Sequence, residues 1–253
     1  MNRFVQWLGI VMIFLTCYVV SQAQPPVAEA VYKTFKPDTI DILSIVTLVG
    51  GTVGGYITFA GAHRILDSGI HGLPAVRGVT RGAVSGIMVT GVMRVILFLA
   101  VLGVVTQGFK LDPGNPVASV FQSAAGNIGY KIFGIVMWAA AITSVIGAAY
   151  TSVTFMRIFS PLVEKYQNRL IIAFIFISTL VFVSVGRPVM ILILVGALNG
   201  LILPLTLGPM LVAAYRKNVV GEYKHPVWMT VFGALVVILM TFLGLRTIIQ
   251  LFS

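Results

Sequence analysis

Long apolar runs separated by short polar connections dominate this chain. Seven runs can be drawn, each near the roughly 20 residues that a helix needs to cross a bilayer. No polar stretch exceeds roughly 25 residues, which is too short for a core of its own. The pattern predicts an all-α polytopic membrane protein in which residues 1–253 form a single transmembrane domain. The predicted spans are 4–22, 42–70, 82–106, 128–156, 170–185, 188–215 and 227–252.

Three connections have predicted structure of their own. A short helix is expected from Val27 to Phe35, and a short interfacial helix from Val117 to Ala125. Between the second and third runs, the glycines and proline of residues 69–78 predict a flexible loop that would let the preceding half-helix tilt as a gate.

Composition supports the membrane prediction and removes other classes. The chain is 58% hydrophobic and 9% charged, with a mean hydropathy of +1.01. A soluble domain cannot bury that much apolar surface. The single cysteine, Cys17, excludes an internal disulfide. The net charge of +10 is better explained by positively charged cytoplasmic loops than by nucleic acid, so no nucleic-acid partner is expected.

The distribution of Lys and Arg predicts the orientation in the inner (plasma) membrane. Arg3 and the second, fourth and sixth connections carry ten of them, against five on the opposite side. The bias predicts a cytoplasmic N-terminus and an external C-terminus. An alternative for the first run is a signal peptide, since Arg3 precedes an apolar stretch that ends near small residues. Both readings place the chain after Gln24 outside.

The second run is interrupted by glycine. Residues 50–64 read GGTVGGYITFAGAHR, and five glycines at membrane depth weaken a helix. Lipid cannot satisfy the polar backbone groups that a break exposes, so broken helices line cavities and hold ions or polar substrates. His63 follows the break and adds a titratable group.

The sixth run carries Asn199, Pro204 and Pro209. Each proline removes a backbone donor and frees a carbonyl one turn earlier. The run is therefore either a second irregular, partly polar helix or a structural helix with proline kinks. An amide in hydrocarbon is costly, so Asn199 is expected to face the bundle interior.

At these residues the chain resembles the natural resistance-associated macrophage protein (NRAMP) family of proton-coupled divalent-metal transporters. Residues 50–64 match a bacterial, uncharacterised branch of that family, and the spacing from Asn199 to Pro209 is similar to the family's tenth helix. The resemblance implies a LeuT-like fold of two inverted five-helix repeats with broken first and sixth helices. The seven runs then correspond to family helices five to eleven, so the chain is expected to be the C-terminal part, without the first four helices.

The resemblance also implies where the ion site lies. The break at Thr58, Gly61, Ala62 and His63 would face Asn199 near the midplane. In the family, an Asp-Pro-Gly-Asn motif in the first helix supplies the acidic half of the site. Here the same four letters, residues 112–115, follow the third run in an external loop, where they predict a turn and not the ion motif.

The resemblance departs from the family at the selective ligand. Where metal-transporting members have Met-Pro-His, this chain has Gly61-Ala62-His63. Loss of the thioether removes the preference for softer metals and favours a harder cation such as Mg²⁺ or Mn²⁺, with His63 as the candidate metal ligand. A substrate other than a metal is the alternative.

Several polar residues in or near the apolar runs have more than one possible role. His63 is a candidate ion ligand or proton carrier, and Asp67 is expected either to orient its imidazole or to pair with Arg64. Arg94, near the middle of the third run, is a buried charge or proton-pathway residue whose partner would be a carbonyl, water or an acid on the absent helices. The hydroxyls of residues 150–152 either pack helices together or line a cation pathway.

No enzyme is predicted, because the sequence has no His-Glu-x-x-His motif and no intramembrane aspartate pair. The expected function is secondary active transport of a divalent cation, coupled to protons, with no cofactor. The lipid bilayer, the cation, protons and the missing helices as a separate chain are the expected partners. The alternative is a non-transporting membrane subunit or fragment.

Overall fold

The protein is α-helical throughout the part that the structure, a computed structural model, describes: residues 2–52, 56–186 and 188–252. Six of the described helices are long and apolar enough to cross a membrane, or up to seven if a bent pair counts as one span. The bent pair comprises 7–23 and 27–35, which meet at 100°. The helices are α1 Asn2–Ala23, α2 Val27–Phe35, α3 Ile42–Thr52, α4 Tyr56–Ala60, α5 His63–Asp67, α6 Leu73–Thr106, α7 Pro116–Phe155, α8 Pro161–Lys165, α9 Gln167–Val185, α10 Pro188–Ala213, α11 Lys217–Val220 and α12 Val227–Phe252, with a 3-10 turn at Met156–Ile158 between α7 and α8.

Most predicted boundaries agree with the structure. The short helix at Val27–Phe35 is present as α2. The expected interfacial helix is the first part of α7, and Gly126, at φ 62°, separates it from the membrane-spanning part. A positive φ is readily adopted by glycine, so the chain changes direction there at little cost.

The predicted flexible loop at 69–78 is wrong in its length. Helix α6 begins at Leu73 and runs through Gly78, which leaves only residues 68–72 as the turn. Pro74 lies in the first turn of α6, where its missing N–H has no helical partner to lose. Gly69 and Gly72, at φ 76° and 79°, make the turn.

The prolines of α10 lie within one continuous helix from Pro188 to Ala213. Of the two sequence readings, the structure supports the helix with internal prolines. The Thr206 hydroxyl donates to the carbonyl of Ile202, 3.1 Å away. Such back-bonding is common where a proline interrupts a transmembrane helix.

The helices divide into two compact units. The first comprises residues 1–38 and 74–147, and the second 39–73 and 148–253. In the first unit, α1, α6 and the start of α7 pack around Val19, Ala100 and Phe121. Gly103 of α6 lies against the end of α1, and Gln107 Nε2 donates to the Ala23 carbonyl at 2.9 Å.

In the second unit, α3 packs against α10 through glycine. A Cβ on Gly50 would lie 1.9 Å from the Gly196 carbonyl oxygen, and one on Gly200 would lie 2.5 Å from the Val46 carbonyl. Small residues at such crossings let helix backbones approach closely in membranes. Ile42, Val46, Leu203 and Met240 form the buried core beside this crossing. Gly50 therefore has a packing role in addition to weakening the helix.

Candidate functional site

The break in the second predicted span ends in a tight turn at Gly61 and Ala62, between α4 and α5. In a continuous helix the N–H of Arg64 would donate to the carbonyl of Ala60. Here it donates to the Gly61 carbonyl at 3.1 Å, and Ile65 N–H donates to Ala62 at 3.1 Å. The tightened turn frees the carbonyl of Ala60. The glycines at 54 and 55 lie outside the described residues.

His63 binds the carbonyl that the break frees. Its Nδ1 lies 2.6 Å from the Ala60 oxygen, and its Nε2 lies 2.8 Å from Thr154 Oγ1 on α7. A carbonyl can only accept, so Nδ1 carries the proton of this bond. The imidazole thus links the broken helix to the end of α7.

The hydroxyl of Thr154 gives this link two proton arrangements. Thr154 Oγ1 also lies 2.7 Å from the Tyr150 carbonyl. When that hydroxyl donates to Tyr150, Nε2 must donate to Oγ1, and the imidazole is then doubly protonated. When His63 is neutral, the hydroxyl turns to donate to Nε2. One rotation of a hydroxyl therefore accommodates the gain or loss of a proton.

Further polar contacts bind α4 and α5 to the same end of α7. The Tyr56 hydroxyl lies 2.6 Å from Ser152 Oγ, and Arg64 donates to Thr151 Oγ1 at 3.1 Å. The Arg64 guanidinium also lies 5.2 Å from the centre of the Tyr150 ring, within range of a cation–π interaction. The hydroxyls of Thr151 and Ser152 and the ring of Tyr150 thus hold the broken helix, as the packing reading predicted.

Asp67 pairs with neither predicted partner. Its carboxylate accepts from Arg157 at 2.7 Å, just after the end of α7. Both predicted pairings, with His63 and with Arg64, are therefore wrong in this conformation. The long Arg157 side chain reaches across from α7, while Arg64 turns to Tyr150 and Thr151. Contacts with residues distant in sequence thus replace the local pairings that the sequence predicted for Asp67.

The other predicted site residues lie apart from this network. Thr58 and Ala62 are exposed and Gly61 is half-buried. Asn199 is half-buried on α10, next to Gly200 of the crossing with α3, and no hydrogen bond among the described residues joins it to His63. Arg94, in the first unit, is exposed on α6 and has no ion-pair partner in the described part of the chain.

The Asp-Pro-Gly-Asn sequence at 112–115 forms a turn and a helix cap. Asp112 Oδ1 accepts from Gly114 N–H at 2.8 Å, and Asn115 Oδ1 accepts from Ala118 N–H at 3.2 Å in the first turn of α7. Both are local side-chain-to-backbone bonds typical of these residue types. The turn predicted from the sequence is confirmed.

The sequence of the chain matches the family described as natural resistance-associated macrophage protein-like (Nramp) over residues 1–250. The chain belongs to the Nramp family. This establishes a multi-pass membrane protein from a family of metal-ion transporters. In this Nramp chain, contacts of Tyr56, His63 and Arg64 bind the broken helix to the end of α7.

Two relatives of this Nramp chain are described as uncharacterized membrane proteins. It is 62% identical over 248 residues to the uncharacterized membrane protein YcsG of Bacillus subtilis, covering 98% of this chain and 61% of the relative. It is 56% identical over 253 residues to an uncharacterized membrane protein of Haemophilus influenzae, covering 100% of this chain and 64% of the relative. The chain thus spans less than two thirds of either protein. No solved structure matches it.

Thr154, Tyr56 and Arg157 were missed by sequence reasoning. A threonine near the end of an apolar run is common and most often packs. A signal was nevertheless present, since Tyr150, Thr151, Ser152 and Thr154 crowd one end of a run that is otherwise apolar. Identifying His63 as the partner of Thr154 requires the tertiary fold.

Proposed function

We propose that this chain is part of a secondary active transporter that moves a divalent metal cation across the inner membrane, coupled to protons, with its N-terminus cytoplasmic and its C-terminus external. Family membership supports metal-ion transport. The observation that carries the proposal for this chain is the connection from the Ala60 carbonyl through His63 to Thr154 across the helix break.

The geometry favours a proton role for His63 over permanent metal ligation. Both imidazole nitrogens are engaged, one by Ala60 and the other by Thr154. A cation could bind Nε2 only after the bond to Thr154 is broken. Alternating access would supply that second state, in which α4 and α5 move relative to α7. His63 would thereby exchange a hydroxyl partner for a proton or an ion.

The cation itself needs charge that the described residues do not provide. Among them, no group of three His, Cys, Asp or Glu side chains could hold a metal. Thr58, the carbonyls of Gly61 and Ala62, and Asn199 would contribute neutral oxygen ligands. Hard divalent cations are bound chiefly by carboxylates, which the resemblance places on the first family helix. A site of this kind favours Mg²⁺ or Mn²⁺ over softer metals.

The lack of a metal-binding group among the described residues also supports a second candidate, a membrane subunit that transports only with a partner. If the acidic half of the site resides on another chain, these 253 residues would bind divalent cations weakly by themselves. Little uptake is therefore expected from this chain alone. A LeuT-like transporter with a substrate other than a metal is the remaining alternative.

The test is uptake of Mg²⁺, Mn²⁺, Fe²⁺ and Ca²⁺ into proteoliposomes. It compares this chain with a form lengthened by the segment of the Bacillus subtilis relative that it does not cover. In the longer form, His63→Ala should abolish uptake, while His71→Ala, an exposed histidine in the turn after α5, should leave it unchanged. Robust uptake by the 253-residue chain would contradict the need for further carboxylates. Absence of uptake of any metal by a folded longer form would contradict metal transport.

A further inference from the structure

A cavity with charged and aromatic residues in its lining lies far along the chain from the helix break, in the connection between α10 and α12. It has a volume of about 570 Å³ and is lined by Tyr215, Lys217, Glu222, Tyr223, Lys224 and His225, together with small and apolar residues. Pockets of a few hundred Å³ are large enough for a small ligand or a headgroup. The proposed transport function gives this cavity no role.

The cavity lies where a membrane surface would be. The span ending at Ala213 and the span beginning at Val227 flank it directly. Two tyrosines line it, and Trp228 is exposed at the start of α12. Tyrosine and tryptophan next to the end of a span are typical of the headgroup region. The cavity is thus open to lipid headgroups as well as to water.

The imidazole of His225 lines the cavity with an unused donor or acceptor. Its ring lies between those of Tyr215 and Tyr223, with centroids 5.9 and 6.0 Å away. Its Nε2 is buried and has no hydrogen-bond partner in the described part of the protein. A buried polar atom without a partner is costly, and a ligand in the cavity would supply one. The Tyr215 hydroxyl is already engaged by Thr230 Oγ1 at 2.6 Å.

The net positive charge of the residues around the cavity favours the binding of an anion. Lys217 and Lys224 line it and Arg216 adjoins it, against the single carboxylate of Glu222. Neither lysine takes part in the ion pairs found among the described residues, which join Lys33 to Asp38 and Arg157 to Asp67. Two unpaired ammonium groups beside an imidazole donor suit a phosphate group.

We infer that this cavity binds the phosphate of an anionic phospholipid headgroup, with Lys217 and Lys224 supplying charge and His225 Nε2 donating a hydrogen bond. Basic residues next to the cytoplasmic end of a span attract anionic lipid. The aromatic side chains that line the cavity can contact the glycerol and upper acyl region of a phospholipid, which a free phosphate ion lacks. The inference stands independently of what the protein transports.

A second basic cavity offers a matched control. Lys165 and Arg169 line it, but both lie over the ring of Tyr166, at 5.5 and 5.9 Å from its centre. Those cations are already engaged, and no orphaned donor accompanies them. Removing them changes the net charge of the protein by the same amount as removing Lys217 and Lys224. Any effect of general positive charge should therefore be equal in the two cases.

The experiment counts lipids bound to the detergent-solubilised protein by native mass spectrometry. Phosphatidylglycerol is compared with phosphatidylcholine of the same acyl chains and with inorganic phosphate. Lys217→Gln/Lys224→Gln should weaken phosphatidylglycerol binding about tenfold or more, and Lys165→Gln/Arg169→Gln should leave it unchanged. His225→Phe, which keeps an aromatic ring between the two tyrosines, should also weaken binding while leaving the lipid-free melting temperature unchanged.

Three results would overturn the inference. Equal losses in the two double variants would mean attraction by general charge. Unchanged binding in Lys217→Gln/Lys224→Gln would remove the site. Displacement of phosphatidylglycerol by an equal concentration of inorganic phosphate would assign the cavity to a small soluble anion. The lysine variants lie in an exposed connection, so they test the site even if His225→Phe fails to fold.

Discussion

His63 Nε2 lies 2.8 Å from Thr154 Oγ1, and the same hydroxyl lies 2.7 Å from the carbonyl of Tyr150. The threonine therefore serves as a switchable partner for the imidazole. It accepts from a charged ring and donates to a neutral one. A proton could therefore arrive at or leave His63 without leaving Nε2 or the Thr154 hydroxyl without a partner.

Replacing Thr154 by valine tests the switch. The variant keeps the branched shape and removes the hydroxyl, so Nε2 loses its partner. We expect a loss of stability of about 1 kcal/mol, the usual scale for one hydrogen bond between transmembrane helices. In the longer form, the pH dependence of uptake should also change. Thr154→Ser restores the oxygen and should behave as the unmodified protein does. An unchanged pH profile in Thr154→Val would argue against proton traffic through this hydroxyl.

The turn that frees Ala60 depends on the lack of a side chain at Gly61. A Cβ there would lie 2.8 Å from the Ile57 carbonyl oxygen, too close without a backbone shift. We expect Gly61→Ala to destabilise the protein by about 1–3 kcal/mol through overpacking. The comparison is Gly51→Ala in α3, where an added Cβ meets nothing within 4 Å. That control should be neutral or slightly stabilising. Equal melting temperatures for the two variants, measured in detergent, would refute the strain at Gly61.

Much of the fold followed from hydrophobic pattern, and the site followed only in part. The span boundaries at Val185 and Val227 agree with the sequence because lipid demands long apolar helices ended by polar residues. The importance of His63 followed from its place after a glycine-rich break. The partners of His63, Arg64 and Asp67 could not be predicted, because Thr154 and Thr151 lie on α7 and Arg157 just after it, far away in sequence. Pairings of that kind are set by tertiary packing and leave no local pattern.

The crossing of α3 and α10 at Gly50 should tolerate an added side chain less well than the turn at Gly61 does. A Cβ on Gly50 would lie 1.9 Å from the Gly196 oxygen and 2.2 Å from the Gly200 nitrogen. Both atoms belong to backbone, so the helices themselves must separate. Gly50→Ala should cost about 3 kcal/mol or more, at the upper end of overpacking effects, and should be visible as lost thermal stability. Gly86→Ala on α6 meets nothing within 4 Å and is the matched control. Equal stability of the two variants would disprove the close crossing.

The ion pair between Asp67 and Arg157 should contribute little to stability. Both side chains are partly exposed, at 48% and 28% respectively. A double-mutant cycle of Asp67→Asn and Arg157→Gln should give a coupling energy of about 0.2–1 kcal/mol, the range for solvent-exposed pairs. The coupling should weaken as salt is raised. A coupling well above this range would indicate that the pair is shielded from water, as in a closed gate.

Asp41, just before the start of α3, contributes to the stability of the folded protein in a pH-dependent way. Its carboxylate accepts from the Ser44 hydroxyl at 2.6 Å and from the Ser44 N–H at 3.3 Å. These bonds, led by that from the hydroxyl, lower the pKa of Asp41 below its ordinary value of 3.8. Because the folded pKa is the lower one, the contribution is fully present above pH 3.8 and disappears as the pH falls through the folded pKa.

Melting temperatures of the protein and of Asp41→Asn should therefore differ most near neutral pH. Asparagine keeps an oxygen that can cap the helix, so the variant isolates the charge from the cap. The gap between the two proteins should hold down to about pH 4 and should narrow as the pH falls further, through the folded pKa, since the carboxylate is then protonated. Asp38→Asn, whose partner Lys33 lies on α2, controls for a general loss of acidic charge. A gap that stays constant over this range would show that the bonds from Ser44 do not depend on the charge of Asp41.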